Sequence, residues 1–155
     1  MDFRISGLPV ADFSHLLSLD DEALDRAGVT RCIVDEAGAY PCRVTLEDAE
    51  PGEEVLLLNY AHQAAQTPYA STGPIFVRRN AHATRVVVNE VPDQQRRRLL
   101  SVRAYDASGW MTDADVTDGT ALESLINRFL GDPQVDYLHV HNARRGCYAC
   151  RVVRA

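Results

Sequence analysis

The chain of 155 residues contains no lysine; all 16 of its basic residues are arginines, set against 22 Asp and Glu. The resulting net charge of −6 disfavours tight nonspecific nucleic-acid binding, which depends on a basic surface that neutralises phosphates, so no nucleic-acid partner is expected. No apolar run exceeds strand length; the strongest, Val55 to Leu58, cannot cross a bilayer, so no membrane partner is expected. The first residues lack a basic segment leading into a long apolar stretch, which argues against a signal peptide. With four cysteines and no export signal, the sequence predicts reduced thiols and a cytoplasmic location. Gly-x-Gly, Gly-Lys-Ser/Thr, Gly-x-Ser-x-Gly and His-Glu-x-x-His are all absent, so no phosphate loop, nucleophile elbow or zincin helix is present. Asp113 with Asp115 reads as a pair of solvated carboxylates, too short a series of oxygens for a calcium loop.

What is present fits one compact domain over residues 1–155, with 46% apolar and 25% charged residues. Phe3-Arg4-Ile5 reads as a first strand. Ser18 with Asp21 resembles a capping box for a helix ending near Ala27, with Gly28 as its stop. Strands are expected at Thr30 to Val34, Cys42 to Leu46, Glu54 to Tyr60, Ile75 to Val77 and Thr84 to Asn89, with a helical turn at Asp93 to Arg98. A hairpin centred on Ala37 would set Cys32 opposite Cys42, within conceivable disulfide reach, although two buried thiols are the better reading. Between His62 and Pro74 the pattern dissolves, predicting a long loop of the kind that presents functional side chains. Leu100 to Tyr105 alternates at period two, with Leu100, Val102 and Ala104 inward. Thr120 and Glu123 read as a second capping box before a helix that carries Leu122, Leu125, Ile126 and Phe129 on one side. About eight short strands and two main helices predict an α+β fold with a largely antiparallel sheet.

The chemistry concentrates in the last strands, Asp136 to Arg154, which hold two of the five histidines and two of the four cysteines. In His139-Val140-His141 the two imidazoles share a strand face about 7 Å apart, a familiar way to offer two ligands to one metal. A third ligand would come from elsewhere, with His62 the nearest choice. Cys147 and Cys150, three apart, fall on opposite faces of a regular strand. A three-residue turn would put His141 opposite Cys147 and His139 opposite Ala149; a four-residue turn would put His141 opposite Tyr148 and His139 opposite Cys150. Either register offers two histidines and one cysteine.

Three readings follow for this hairpin. The histidines fill half-buried positions with ordinary hydrogen bonds; or they line a pocket for a small ligand, with Arg144, Arg145 or Arg103 supplying charge; or Cys147 is a nucleophile activated by an imidazole. Tyr69 and His62, in the irregular segment, are possible contributors to the same pocket. A hairpin edge pairing with a second copy, giving a homodimer, is the non-catalytic alternative. No cofactor can be read from the sequence.

Several segments in order, Gly7-Leu8-Pro9, Pro41-Cys42-Arg43-Val44, Pro51-Gly52-Glu53, Pro68-Tyr69, Gly73-Pro74-Ile75-Phe76-Val77, Leu100 to Ala107 and His139-Val140-His141-Asn142-Ala143 leading into Gly146-Cys147, resemble a bacterial family called domain of unknown function 1203. The resemblance spans nearly the whole chain. It implies a small stand-alone domain of unassigned activity whose pattern includes His139, His141, Asn142 and Cys147. Cys150 departs from that pattern, where a small residue is expected, which weakens Cys-x-x-Cys and leaves His-x-His-Asn with one cysteine. Tyr60, His62, Pro68 and Tyr69 also match, marking that segment as a second wall for the same site.

Overall fold

A computed structural model describes all 155 residues. Nine strands form two antiparallel sheets. β1 (Phe3–Ser6), β5 (Val86–Val88), β6 (Leu99–Tyr105), β7 (Met111–Asp118), β8 (Tyr137–Asn142) and β9 (Tyr148–Arg154) make a six-stranded sheet in the order β5-β1-β9-β8-β6-β7. β2 (Thr30–Ile33), β3 (Glu54–Gln63) and β4 (Ser71–Arg78) make a three-stranded sheet in chain order. The helices are α1 (Asp21–Arg26), α2 (Asp93–Arg96) and α3 (Leu122–Leu130).

The period-two alternation of β6 decides how the large sheet is covered. Leu100, Val102 and Ala104 join Leu138 and Val140 of β8 and Cys150 and Val152 of β9 in a core under α3, which contributes Leu122, Leu125, Ile126 and Phe129. The opposite face carries Tyr105, Tyr137, His139, His141 and Tyr148, all buried. Tyr148 belongs to a second core with Leu56 of β3 and Ile75 and Val77 of β4, so the small sheet covers the histidine face. A side chain on that face is therefore buried between two sheets, and its polar atoms need protein partners or a ligand.

Three expectations give way here. Cys42 to Leu46 forms no strand; it makes single bridges, Pro41 to Asp48 and Cys42 to Phe76, and Cys42 Sγ accepts from the amides of Thr45 and Arg78. Cys32 instead lies opposite Val55, and all four cysteines are free thiols. The loop expected from His62 to Pro74 is shorter than that, residues 64–70, because β3 runs through Gln63 and β4 begins at Ser71. Finally, β7 was not anticipated, because Asp113 and Asp115 lie on a strand whose only neighbour is β6 and whose side chains are mostly exposed, so it lacks an apolar period. The caps also differ. Asp20, not Ser18, accepts from Ala23 N–H at the start of α1, and α3 begins after a 3₁₀ turn at Ala121 with no side-chain cap.

Candidate functional site

Two β-bulges assemble the site. In β3 the register slips between Tyr60 and Gln63, which pair with Gly73 and Ser71. The extra residue lets two consecutive side chains turn toward the large sheet, which a regular strand forbids. Gln63 Nε2 donates to Tyr137 Oη at 2.8 Å. His62 stacks on Tyr148, with ring centroids 5.3 Å apart and planes 11° from parallel. In β9 the second bulge puts His141 opposite Tyr148 but Val140 opposite Cys150 and His139 opposite Arg151. The extra residue is Ala149, and it overturns the expectation that a thiol faces the histidines. Cys150 is fully buried on the α3 side, where burial pushes its thiol up to about 12. Cys147 lies beyond the bulge with Arg145 O as its hydrogen-bond partner, and no imidazole pairs with it.

Three histidines converge between the sheets. His62, His139 and His141 each offer one ring nitrogen, and these atoms lie within 4.8 Å of one another. His139 and His141 are 3% and 1% exposed, and His62 is half-buried. His141 Nδ1 lies 2.9 Å from Gly146 O; a carbonyl only accepts, so Nδ1 carries the proton and Nε2 keeps its lone pair. That Nε2 is buried without a partner, as are Nδ1 of His139 and Nδ1 of His62. Three orphaned ring nitrogens on three neighbouring rings are unusual in a packed interior, where such atoms find partners.

Aromatic rings wall the cluster. Tyr148 meets His139 and His141 edge-on at 5.1 and 5.8 Å, and Tyr105 and Tyr137 pack on His139 at 5.2 and 5.1 Å. Burial is the first cause that holds His139 down at about 3 and His141 at about 4. His62 is lowered by burial and then by the charge of Arg103. All three are neutral at pH 7, the state in which imidazole binds a metal. Arg103 sits opposite His139 on β6, and its charge disfavours protonation of each of the three rings.

The remaining sequence candidates divide. Tyr69 packs against Trp110 and Tyr105, at 5.7 and 6.5 Å, one ring removed from His139. Asn142 and Cys147 line a separate cleft at the end of the β8–β9 hairpin. Tyr148, Gln63 and buried Arg43 were not singled out by sequence. For Arg43 a signal existed: a lone arginine inside the otherwise apolar Pro41 to Val44.

The family model described as protein of unknown function (DUF1203) matches residues 39–154, and the chain belongs to that family. No curated protein and no solved structure matches it.

Proposed function

We propose that the chain binds a divalent transition metal, zinc by ligand preference, through His62, His139 and His141. The observation that carries this reading is the trio of buried ring nitrogens without partners, on rings that bring one nitrogen each within 4.8 Å of the others. Zinc–nitrogen bonds of about 2.0–2.1 Å in tetrahedral geometry require nitrogens about 3.3 Å apart, so the rings need to close by up to about 1.5 Å. The Gly146 carbonyl that holds Nδ1–H of His141 is the kind of second partner that orients a ligating imidazole.

Three protein ligands leave a fourth position open, the pattern of zinc sites that polarise a substrate or activate water. No carboxylate belongs to the cluster. The dication's charge would then be balanced by an anionic fourth ligand, a hydroxide, carboxylate or phosphate oxygen, with Arg103 as its second contact. This reading replaces Cys147 as nucleophile, since no imidazole pairs with that thiol.

The test is competitive zinc titration against a chromogenic chelator on the untagged protein, with His62→Ala and His141→Ala alongside. About one equivalent bound by the parent and none by either variant is the expected result. No binding by the parent, or undiminished binding in the variants, would return the cluster to a packing role.

A further inference from the structure

On the far side of the β8–β9 turn lies a larger feature that the histidines do not explain. A cleft of about 940 Å³, in the range of small-molecule sites, is lined by Arg43, Arg96, Arg97, Arg98, Arg144 and Arg145. Three carboxylates share its wall, Asp35, Glu36 and Asp118, but the pairing is incomplete. Arg98 is held by Asp48, and Arg97 reaches Asp93 only at 4.0 Å. Arg96 is bound to the carbonyl of Val91. Arg43, Arg144 and Arg145 have no carboxylate partner at all. Asp35 is engaged by the hydroxyl of Tyr40.

Arg43 is the unusual member. It is 3% exposed, yet its charge meets only two carbonyl oxygens: Nε donates to Tyr148 O at 2.7 Å and Nη1 to Pro41 O at 2.5 Å. A buried guanidinium without a counterion is costly unless an anion arrives. Those two carbonyls fix the guanidinium plane and leave Nη2 without a protein partner. The exposed Arg144 and Arg145 stand on the turn above, whose Gly146 amide closes on Asn142 O at 2.7 Å. Opposite, Tyr40 and Phe76 pack with ring centroids 5.0 Å apart and form an apolar wall.

We propose that this cleft binds a small phosphorylated molecule with an aromatic ring, its phosphate held by Arg43, Arg144 and Arg145 and its ring by Tyr40 and Phe76. A lone carboxylate would neutralise only one of three unpaired arginines, whereas a phosphate ester or diphosphate carries two or more charges and oxygens that match guanidinium geometry. The depth of Arg43 favours a terminal phosphate over a polymer backbone, and the net charge of −6 opposes a long polyanion. The site does not rest on the histidine cluster.

The experiment is calorimetric titration of ADP into the full chain in excess EDTA, so that no metal bridges the probe. Adenosine and inorganic phosphate are titrated separately. Saturable ADP binding is expected, weaker by at least about tenfold in Arg144→Gln/Arg145→Gln, since each charge-assisted contact contributes more than one decade. Tyr40→Ala is expected to weaken ADP more than phosphate. The turn arginines are exposed, so the double variant tests the idea even where Arg43→Met fails to fold. Absence of ADP binding at millimolar concentration, adenosine binding as tightly as ADP, or a double variant that binds like the parent would each overturn the proposal.

Discussion

Acidification of the metal-free protein from pH 7 to pH 5 should cost it much of its stability, through two residues. His139 and His141 are neutral in the folded chain because burial holds them at about 3 and about 4, against an ordinary 6.5 once unfolded. The depressed folded values mean that the unfolded chain takes up protons first. Their contribution is complete above pH 6.5 and is lost as pH falls, down to about 4 for His141 and about 3 for His139. At pH 5 each imidazole lies about 1.5 pH steps below its unfolded value and still above its folded one, which amounts to about 2 kcal/mol per ring. Together the pair predicts a loss of about 4 kcal/mol between pH 7 and 5, a large part of a typical domain's stability. His62 acts in the same direction. Urea unfolding in EDTA at both pH values is the assay, and a midpoint lower by about 2 M at unchanged slope is the expected reading. In His139→Gln/His141→Gln most of the difference should vanish. Equal midpoints at pH 7 and 5, or a drop that survives in the double variant, would show that these imidazoles are not held neutral by burial and would undo the charge argument for the site. Imidazole proton shifts recorded in the folded parent supply a second check, because neither ring should titrate above pH 5.

Other outcomes follow from particular contacts. Native-state iodoacetamide should modify the half-buried Cys32 and Cys147 and spare the buried Cys42 and Cys150, as intact-mass spectrometry would show by two adducts instead of four. Gly109→Ala should destabilise by about 2 kcal/mol or more, because Gly109 has φ 87° and an added Cβ would lie 2.2 Å from that of Ala65; thermal melting measures it. Ile126→Ala, at a fully buried position under the large sheet, should cost about 2–5 kcal/mol in urea unfolding, whereas Glu22→Gln on exposed α1 should change stability by less than about 0.5 kcal/mol.

Where burial has a period, the sequence shows it. Leu100, Val102 and Ala104 announce β6 and its inward face, and Leu122, Leu125, Ile126 and Phe129 announce α3, because each pattern encodes which side meets the core. β7 carries no such code: as an edge strand it exposes most of its side chains, so Asp113 and Asp115 read only as solvated carboxylates and no strand is visible there. Cys42 to Val44 misleads in the opposite sense. Apart from Arg43 it is apolar because it is buried, yet its amides and carbonyls go to Leu8, Leu46, Glu47, Phe76 and Arg85 without forming a continuous ladder.

The three histidines were legible in the sequence, His139 and His141 as a pair and His62 as the third ligand named beside them, but the geometry that joins them was not. His-x-His fixes two rings on one strand face from spacing alone, but the face that Cys150 takes relative to Tyr148 depends on Ala149, and nothing in Cys-Tyr-Ala-Cys marks Ala149 as the extra residue of a bulge. The same holds for His62, whose approach to His141 depends on a slip between Tyr60 and Gln63 that is set by packing between the two sheets. Each bulge does what a regular strand cannot. The one in β3 aims both Gln63 and His62 at the large sheet, and the one in β9 sends Cys150 to the core while keeping Tyr148 against the imidazoles. Deletion of Ala149 should therefore remove the extra residue and leave Tyr148 opposite His141 and Cys150 opposite Val140, so that the thiol stays on the core side and the cluster stays all-nitrogen. Cobalt substitution would report this directly, because thiolate ligation adds an intense near-ultraviolet charge-transfer band that three imidazoles cannot give. Such a band in the deletion variant would mean that β9 slides by one residue instead of closing over the lost bulge.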